Sequence, residues 1–172
     1  MRLILMRHGI ATKRSQARRG SDADRALTAQ GVSRVRKAAQ GLRALKVAPR
    51  VVLTSPYLRA RQTAELVAEG LGLPARRIVT SEALLPDAEP DLLYRELRER
   101  DDPEALCTGH APQLDQALAL ALGIGRNSAT ELKKAGAAAI ELMQWVPPRG
   151  RLIWLLGPAA LRRLGRAGAP DT

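Results

Sequence analysis

The chain holds two histidines, His8 and His110, and each stands beside a glycine, in Arg7-His8-Gly9 and in Gly109-His110. A third stretch, Ser55-Pro56-Tyr57-Leu58-Arg59, adds an arginine to match Arg7. All three stretches follow short apolar runs: RLILM at 2–6, RVVLT at 50–54 and EALCTG at 104–109. If those runs are parallel neighbours, the polar groups converge at the carboxyl ends of the strands, where open α/β sheets bind ligands. Paired guanidiniums offer forked donors and fixed positive charge, which match the oxygens of a phosphoryl group. Arg59 falls in the first turn of a helix, whose free N–H groups also favour anions. Arg61 points away from it, to the surface. An imidazole can then attack phosphorus through one ring nitrogen while its other N–H is held by a backbone acceptor. The product is a phosphohistidine intermediate that water hydrolyses, with the arginines stabilising the charge spread over the moving phosphoryl group. This chemistry requires no metal or other cofactor, and no group of His, Cys, Asp and Glu has metal-ligand spacing.

The elements that must position these groups alternate between strand and helix. RLILM at 2–6 reads as a buried strand, and a long polar loop over 10–27 follows it. Thr28 caps a helix whose Val32, Val35, Ala39, Leu42 and Leu45 share one face. RVVLT at 50–54 is the second strand. Ser55 then reads as an N-cap and Pro56 as the first residue of a helix to Leu71. RIVTS at 77–81 is a short strand, Asp91 to Arg100 a helix, 104–110 a strand, and Pro112 to Leu122 a helix. The Ala-rich stretch 132–143 fits either a helix or, after Gly136, a strand. RLIWLL at 151–156 is a strand and 158–165 a closing helix. The expectation is an α/β fold: a three-layer sandwich with a mainly parallel sheet and helices on both faces. It forms a single domain over 1–165 with a frayed tail over 166–172.

Composition narrows the function classes. At 172 residues and net charge +11, the chain favours acidic or phosphorylated partners. Phe is absent and aromatics make up 2%, which leaves few platforms for stacked bases and argues against a nucleic-acid role. A basic nucleic-acid binder remains the contrasting class, marked by salt-sensitive affinity. The single cysteine, Cys107, rules out an intrachain disulfide and fits a reducing compartment; it reads as core packing. No signal peptide or membrane span is visible, so a cytoplasmic protein is expected. Trp145 and Trp154 also read as core. The basic loop 13–19, with Lys13, Arg14, Arg18 and Arg19, either docks an acidic phosphoprotein or is a solvated face. Lys133 and Lys134 read as an exposed turn.

LMRHGIA at 5–11, LTAQG at 27–31, TSPYLRARQTAE at 54–65 and GHAP at 109–112 together resemble the ordered motifs of the histidine phosphatase superfamily, whose fold is phosphoglycerate-mutase-like. The short chain, LKKAGAAAIEL at 132–142 and the ending LIWLLGPAALRRL are similar to its compact SixA-type phosphohistidine phosphatases, which lack the cap insertion. The resemblance implies that His8 is the phosphorylated nucleophile and that Arg7, Arg59 and His110 form the phosphate pocket. It implies a mixed sheet with an antiparallel edge. Many relatives protonate an alkoxide leaving group with a Glu or Asp after the third strand; Glu82 and Asp87 are the candidates, against a reading of both as solvated loop carboxylates. A phosphohistidine substrate would relieve the need for such an acid. Asp22 and Asp24 either orient Arg7 or a water, or belong to the surface, which is the expectation. The leading function is a phosphatase for phosphohistidine on a signalling protein. The alternatives are a phosphomonoesterase for a small metabolite and a non-catalytic phosphate-binding module. The expected partner is thus a phosphorylated protein or a small phosphorylated substrate, with neither nucleic acid nor membrane; the oligomeric state is left open.

Overall fold

The computed structural model describes residues 1–17, 20–124 and 131–167. In chain order its elements are β1 (Arg2–Arg7), α1 (Ala29–Ala44), β2 (Val51–Thr54), α2 (Leu58–Leu71), β3 (Ile78–Thr80), α3 (Pro90–Arg100), β4 (Glu104–Gly109), α4 (Gln113–Ala121), β5 (Ala137–Trp145), β6 (Pro148–Leu156) and α5 (Pro158–Ala167). The strands form one six-stranded sheet in the order β3-β2-β4-β1-β5-β6. β1 pairs in parallel with β4, β4 with β2, and β2 with β3. β5 runs antiparallel to both β1 and β6. The reversed strand is therefore inside the sheet, not at its edge as expected; the β5–β6 hairpin brings β6 back into the common direction.

The central strands are apolar throughout because both faces of the sheet are covered. Leu3, Leu5, Val51, Leu53, Ala105 and Cys107 face a cluster that holds Leu93, Tyr94 and Leu97 of α3 and Leu114, Ala117 and Leu118 of α4. Ile4, Met6, Val52 and Leu106 face a second cluster with Val35, Ala39 and Leu42 of α1, Ala64 and Val67 of α2, and Leu161 of α5. This is the expected three-layer sandwich. The stretch 132–143 resolves into a turn followed, after Gly136, by β5, whose Ala137, Ala138 and Ala139 are fully buried. Small side chains allow this strand to lie under close helical cover. Trp145 and Trp154 are only partly buried, at the margins of the two clusters. The closing helix runs past Gly165 to Ala167, and the rest of the expected tail lies outside the described residues. Among the described residues no helix is long and apolar enough to cross a membrane.

Two glycines set how closely α1 can approach its neighbours. A Cβ on Gly31 would lie 2.1 Å from the carbonyl oxygen of Ile10, so glycine lets the start of α1 rest on the backbone just past His8. Thr28 ties the same corner: its Oγ1 accepts from the Gly31 N–H at 3.0 Å, and its own N–H donates to the Ile10 carbonyl at 2.9 Å. A Cβ on Gly41 would lie 2.1 Å from the Leu161 carbonyl oxygen, where α1 crosses α5.

The crossing gives a direct test. Gly41→Ala should lower the unfolding free energy by about 3 kcal/mol, because backbone meets backbone and cannot yield as a side chain does. Gly72→Ala should cost about 1 kcal/mol: its φ is +72° but nothing lies within 4 Å, so only backbone strain opposes it. Denaturant titration of both variants measures the order, and a smaller loss for Gly41→Ala would contradict the α1–α5 contact.

Candidate active site

The three motif stretches lie side by side at one end of the sheet. Arg7 is the register partner of Gly109, and Thr54 that of Thr108. The pairing continues past the strands, with the His8 N–H donating to the Gly109 carbonyl at 3.0 Å and the Ser55 N–H to the Thr108 carbonyl at 3.0 Å. His8 and His110 thereby emerge on adjacent strands, with ring centroids 5.0 Å apart.

His8 is 7% exposed. Its Nδ1 lies 2.7 Å from the Gly9 carbonyl oxygen, which only accepts, so Nδ1 carries the proton and donates it. Nε2 then keeps its lone pair, toward which the Arg59 Nε–H donates at 3.2 Å. Burial pushes the His8 pKa down to about 3, and the nearby Arg59, Arg7 and Lys134 charges add to the effect against the Gly9 bond. The imidazole is therefore neutral and held in one tautomer. Gly9 is fixed in turn: its N–H donates to Thr63 Oγ1 at 3.1 Å, and that hydroxyl donates to the Arg59 carbonyl at 2.7 Å.

His110 is oriented by Ser55. Its Nε2 is 2.9 Å from Ser55 Oγ, and the side of Ser55 is fully buried. The other partner of that oxygen is the Tyr57 N–H, which donates to it. Beside the Tyr57 N–H this oxygen has a lone pair and a proton left, so it can accept from or donate to Nε2, and Nδ1 is a buried atom with no partner among the described residues. Burial, reinforced by His8 and Arg59, pushes the His110 pKa down to about 3. The Tyr57 ring meets His110 edge-on at 5.2 Å, and the Arg59 guanidinium lies 5.0 Å from the Tyr57 ring centroid.

This role for Ser55 corrects the expected helix start. α2 begins at Leu58, not at Pro56, because the Ser55 hydroxyl is spent on Tyr57 and His110. The first helical N–H, that of Leu58, is satisfied by the Ala23 carbonyl at 2.9 Å, so the 10–27 loop closes the helix end. Arg59 still falls in the first turn, and Arg61 is exposed as expected.

The arginines are held differently. Arg7 donates from one terminal nitrogen to the Leu132 carbonyl at 2.9 Å, while its buried Nε has no partner among the described residues. Arg59 gives both terminal nitrogens to Asp22: one donates to its carbonyl oxygen at 2.6 Å and the other to Oδ2 at 2.8 Å. Asp22 stays at the surface, its side chain 39% exposed, but it pairs with Arg59 and makes no hydrogen bond to Arg7 among the described residues. It binds Arg59 because the loop folds back over the start of α2. Asp24 contributes its backbone N–H, which donates to the Ser21 carbonyl. Sequence reasoning missed Ser55 and Asp22 as site residues. The available signals were a hydroxyl directly after a buried strand and the Asp22/Arg25 spacing, in which Arg25 pairs with Asp22 Oδ1 at 2.8 Å.

Glu82 and Asp87 are exposed and line a shallow depression with Leu92 and Glu96; neither bonds to the histidines or to Arg7 and Arg59 among the described residues. Lys133 and Lys134 are exposed in a turn whose Ala135 N–H donates to the Arg7 and His8 carbonyls, which brings the Lys134 charge near His8. In the basic loop, Lys13 and Arg14 are exposed, while Arg18 and Arg19 lie outside the described residues. Cys107 is fully buried, and burial pushes its thiol pKa far up, so it is unreactive core.

This cleft can hold a tetrahedral anion between guanidiniums and an imidazole, with a second, neutral imidazole beside it. The chain is similar to several known proteins. The family model of the histidine phosphatase superfamily (branch 1) matches residues 3–84. An uncharacterized protein of Picosynechococcus sp. is 38% identical over 138 residues, covering 79% of this chain and 82% of that one. Phosphohistidine phosphatase SixA of Escherichia coli K12 is 39% identical over 90 residues, which is 52% of this chain and 50% of that one. Among solved structures, the protein histidine phosphatase SixA complexed with tungstate aligns with a TM-score of 0.81 at 28% identity, over 94% of this chain and 99% of that one. The putative phosphohistidine phosphatase SixA from Agrobacterium tumefaciens aligns with a TM-score of 0.75 at 23% identity, over 91% and 97%. The chain, with its phosphoglycerate-mutase-like fold, thus belongs to the histidine phosphatase superfamily.

Proposed function

We propose that the protein is a metal-independent phosphatase that removes the phosphoryl group from phosphohistidine on another protein, through a phosphohistidine intermediate on His8. The observation that carries this reading is the state of His8: neutral, with Nδ1–H tied to the Gly9 carbonyl and the Nε2 lone pair beside Arg59. The phosphoryl oxygens are held by the Arg7 and Arg59 guanidiniums and by the His110 imidazole. His8 Nε2 gives up its hydrogen bond from the Arg59 Nε–H, which passes to a phosphoryl oxygen, and attacks phosphorus as the bond to the substrate nitrogen breaks. A substrate imidazole protonated on its other nitrogen leaves as the neutral ring, so no general acid is required. Water then attacks the phosphorus, the Nε2–P bond breaks, and inorganic phosphate departs. Because Nδ1 keeps its proton throughout, His8 leaves as a neutral imidazole. A phosphohistidine leaving group needs no proton from Glu82 or Asp87, whereas an alkoxide ester would need one at its leaving oxygen. Similarity to proteins described as phosphohistidine phosphatases supports the same choice.

Turnover of a phosphohistidine-bearing protein against an alkyl phosphate ester tests the reading. The phosphohistidine should react faster by at least about 100-fold, and His8→Ala should reduce its rate by about 1,000-fold or more. Glu82→Gln and Asp87→Asn should stay within about threefold of wild type. Faster turnover of the ester, with a large loss in either carboxylate variant, would favour a small-molecule phosphomonoesterase instead.

The neutral histidines also fix a pH dependence of stability. In the fold both resist protonation down to about pH 3, whereas in the unfolded chain each takes a proton near pH 6.5. Below that value the unfolded state binds more protons, so stability falls as pH drops from about 6.5 toward 3. Denaturation midpoints between pH 7 and 4 should fall less for a His8→Gln, His110→Gln double variant than for wild type. Equal slopes would contradict the buried neutral pair.

A further inference from the structure

We infer that Asp22 is a positioning residue for phosphoryl transfer: it grips the terminal nitrogens of Arg59 and so turns the Nε edge of that guanidinium toward the attacking nitrogen of His8. The inference rests on the phosphatase reading above and assigns the Arg59 orientation to a residue of the long loop. Arg59 has three nitrogens, and each is accounted for. The two terminal ones donate to the Asp22 carbonyl oxygen at 2.6 Å and to Oδ2 at 2.8 Å, while Nε donates to His8 Nε2 at 3.2 Å. The remaining hydrogens of the terminal nitrogens stay free for phosphoryl oxygens.

The grip is prearranged. Asp22 Oδ1 accepts from Arg25 at 2.8 Å, and the Arg25 Nε–H donates to the Thr12 carbonyl at 2.7 Å. The Ala23 carbonyl next to it takes the Leu58 N–H at 2.9 Å, and Ser21 Oγ accepts from the Ala23 N–H at 3.3 Å. Asp22 is thus anchored at the base of the loop and at the start of α2, independently of Arg59. A flexible arginine stem is thereby ordered before the substrate arrives, and orientation of this kind is worth large rate factors. An exposed ion pair would contribute little to stability; here the Arg59 side chain is 6% exposed and that of Asp22 39%, so the pair acts through the orientation it gives the buried guanidinium. Nor is Asp22 the missing acid. Hydrogen bonds from Arg25 and then Arg59 hold its carboxyl below the usual range, so it carries no proton to give at neutral pH.

Asp22→Ala, Asp22→Asn, Arg59→Lys and the Asp22→Ala, Arg59→Lys double variant test this in two ways. The first readout is the ¹⁵N–¹H NMR signal of the Arg59 Nε–H, identified by its loss in Arg59→Lys. It should shift or broaden in Asp22→Ala and stay close to the wild-type position in Asp22→Asn, whose amide oxygen can still accept. The second is kinetic. Asp22→Ala should lower kcat by about 10- to 100-fold with KM changed less than about threefold. Asp22→Asn should recover most of that loss, and Asp22→Ala should cost less than about twofold in the Arg59→Lys background. An Arg59 Nε–H signal unmoved in Asp22→Ala would overturn the inference. So would an equal kcat loss in both backgrounds, which marks a role in folding alone. The NMR readout needs no turnover, so it judges Asp22 even if the wild type proves to act on esters and the phosphohistidine reading fails.

Discussion

His8 donates its Nδ1 proton to the Gly9 carbonyl over 2.7 Å, and the rest of the cleft is arranged around that bond. It selects the tautomer with a lone pair on Nε2, and burial then keeps the ring from taking a second proton. An imidazole in bulk water samples both tautomers and is part protonated at neutral pH; here only the nucleophilic form remains. Burial keeps His110 neutral in the same way, and the buried Ser55 hydroxyl holds its Nε2. The two neutral rings stand 5.0 Å apart.

The fold supplies this with short-range constraints. Parallel pairing of β1 with β4 puts the two histidine motifs on neighbouring strands, and pairing of β4 with β2 adds Ser55. Gly31 and Thr28 clamp α1 onto Ile10, which fixes the backbone immediately after the Gly9 acceptor. The long loop adds the last constraint from outside the sheet, with the Ala23 carbonyl on Leu58 and the Asp22 carboxylate on Arg59. Each contact acts on the orientation of a group that already stands at the right place.

Those layers were legible to different degrees. Apolar runs ending in Arg7-His8-Gly9, Thr54-Ser55 and Gly109-His110 announce buried strands with polar tips, because a strand covered on both faces has no reason to carry polar residues until it ends. The convergence of Arg7, His8, Arg59 and His110 followed from that. The stretch 132–143 was not legible, since alanine favours helices and only burial between the clusters makes it a strand. The place of the antiparallel strand depends on the long-range pairing of β5 with β1, which local pattern does not encode. Ser55 looked like a helix cap because Ser-Pro is a good local start; a tertiary demand from His110 took its hydroxyl instead. Asp22 was obscured by loop geometry, since no periodicity shows where an irregular segment folds back.

The most direct test is to find the phosphoryl group on the enzyme. Protein incubated with a phosphohistidine donor, quenched at alkaline pH and examined by mass spectrometry and ³¹P NMR, should carry phosphate on Nε2 of His8, and His8→Ala should carry none. Phosphate on His8 Nδ1, on His110, or release of phosphate with no adduct on His8 would contradict the account.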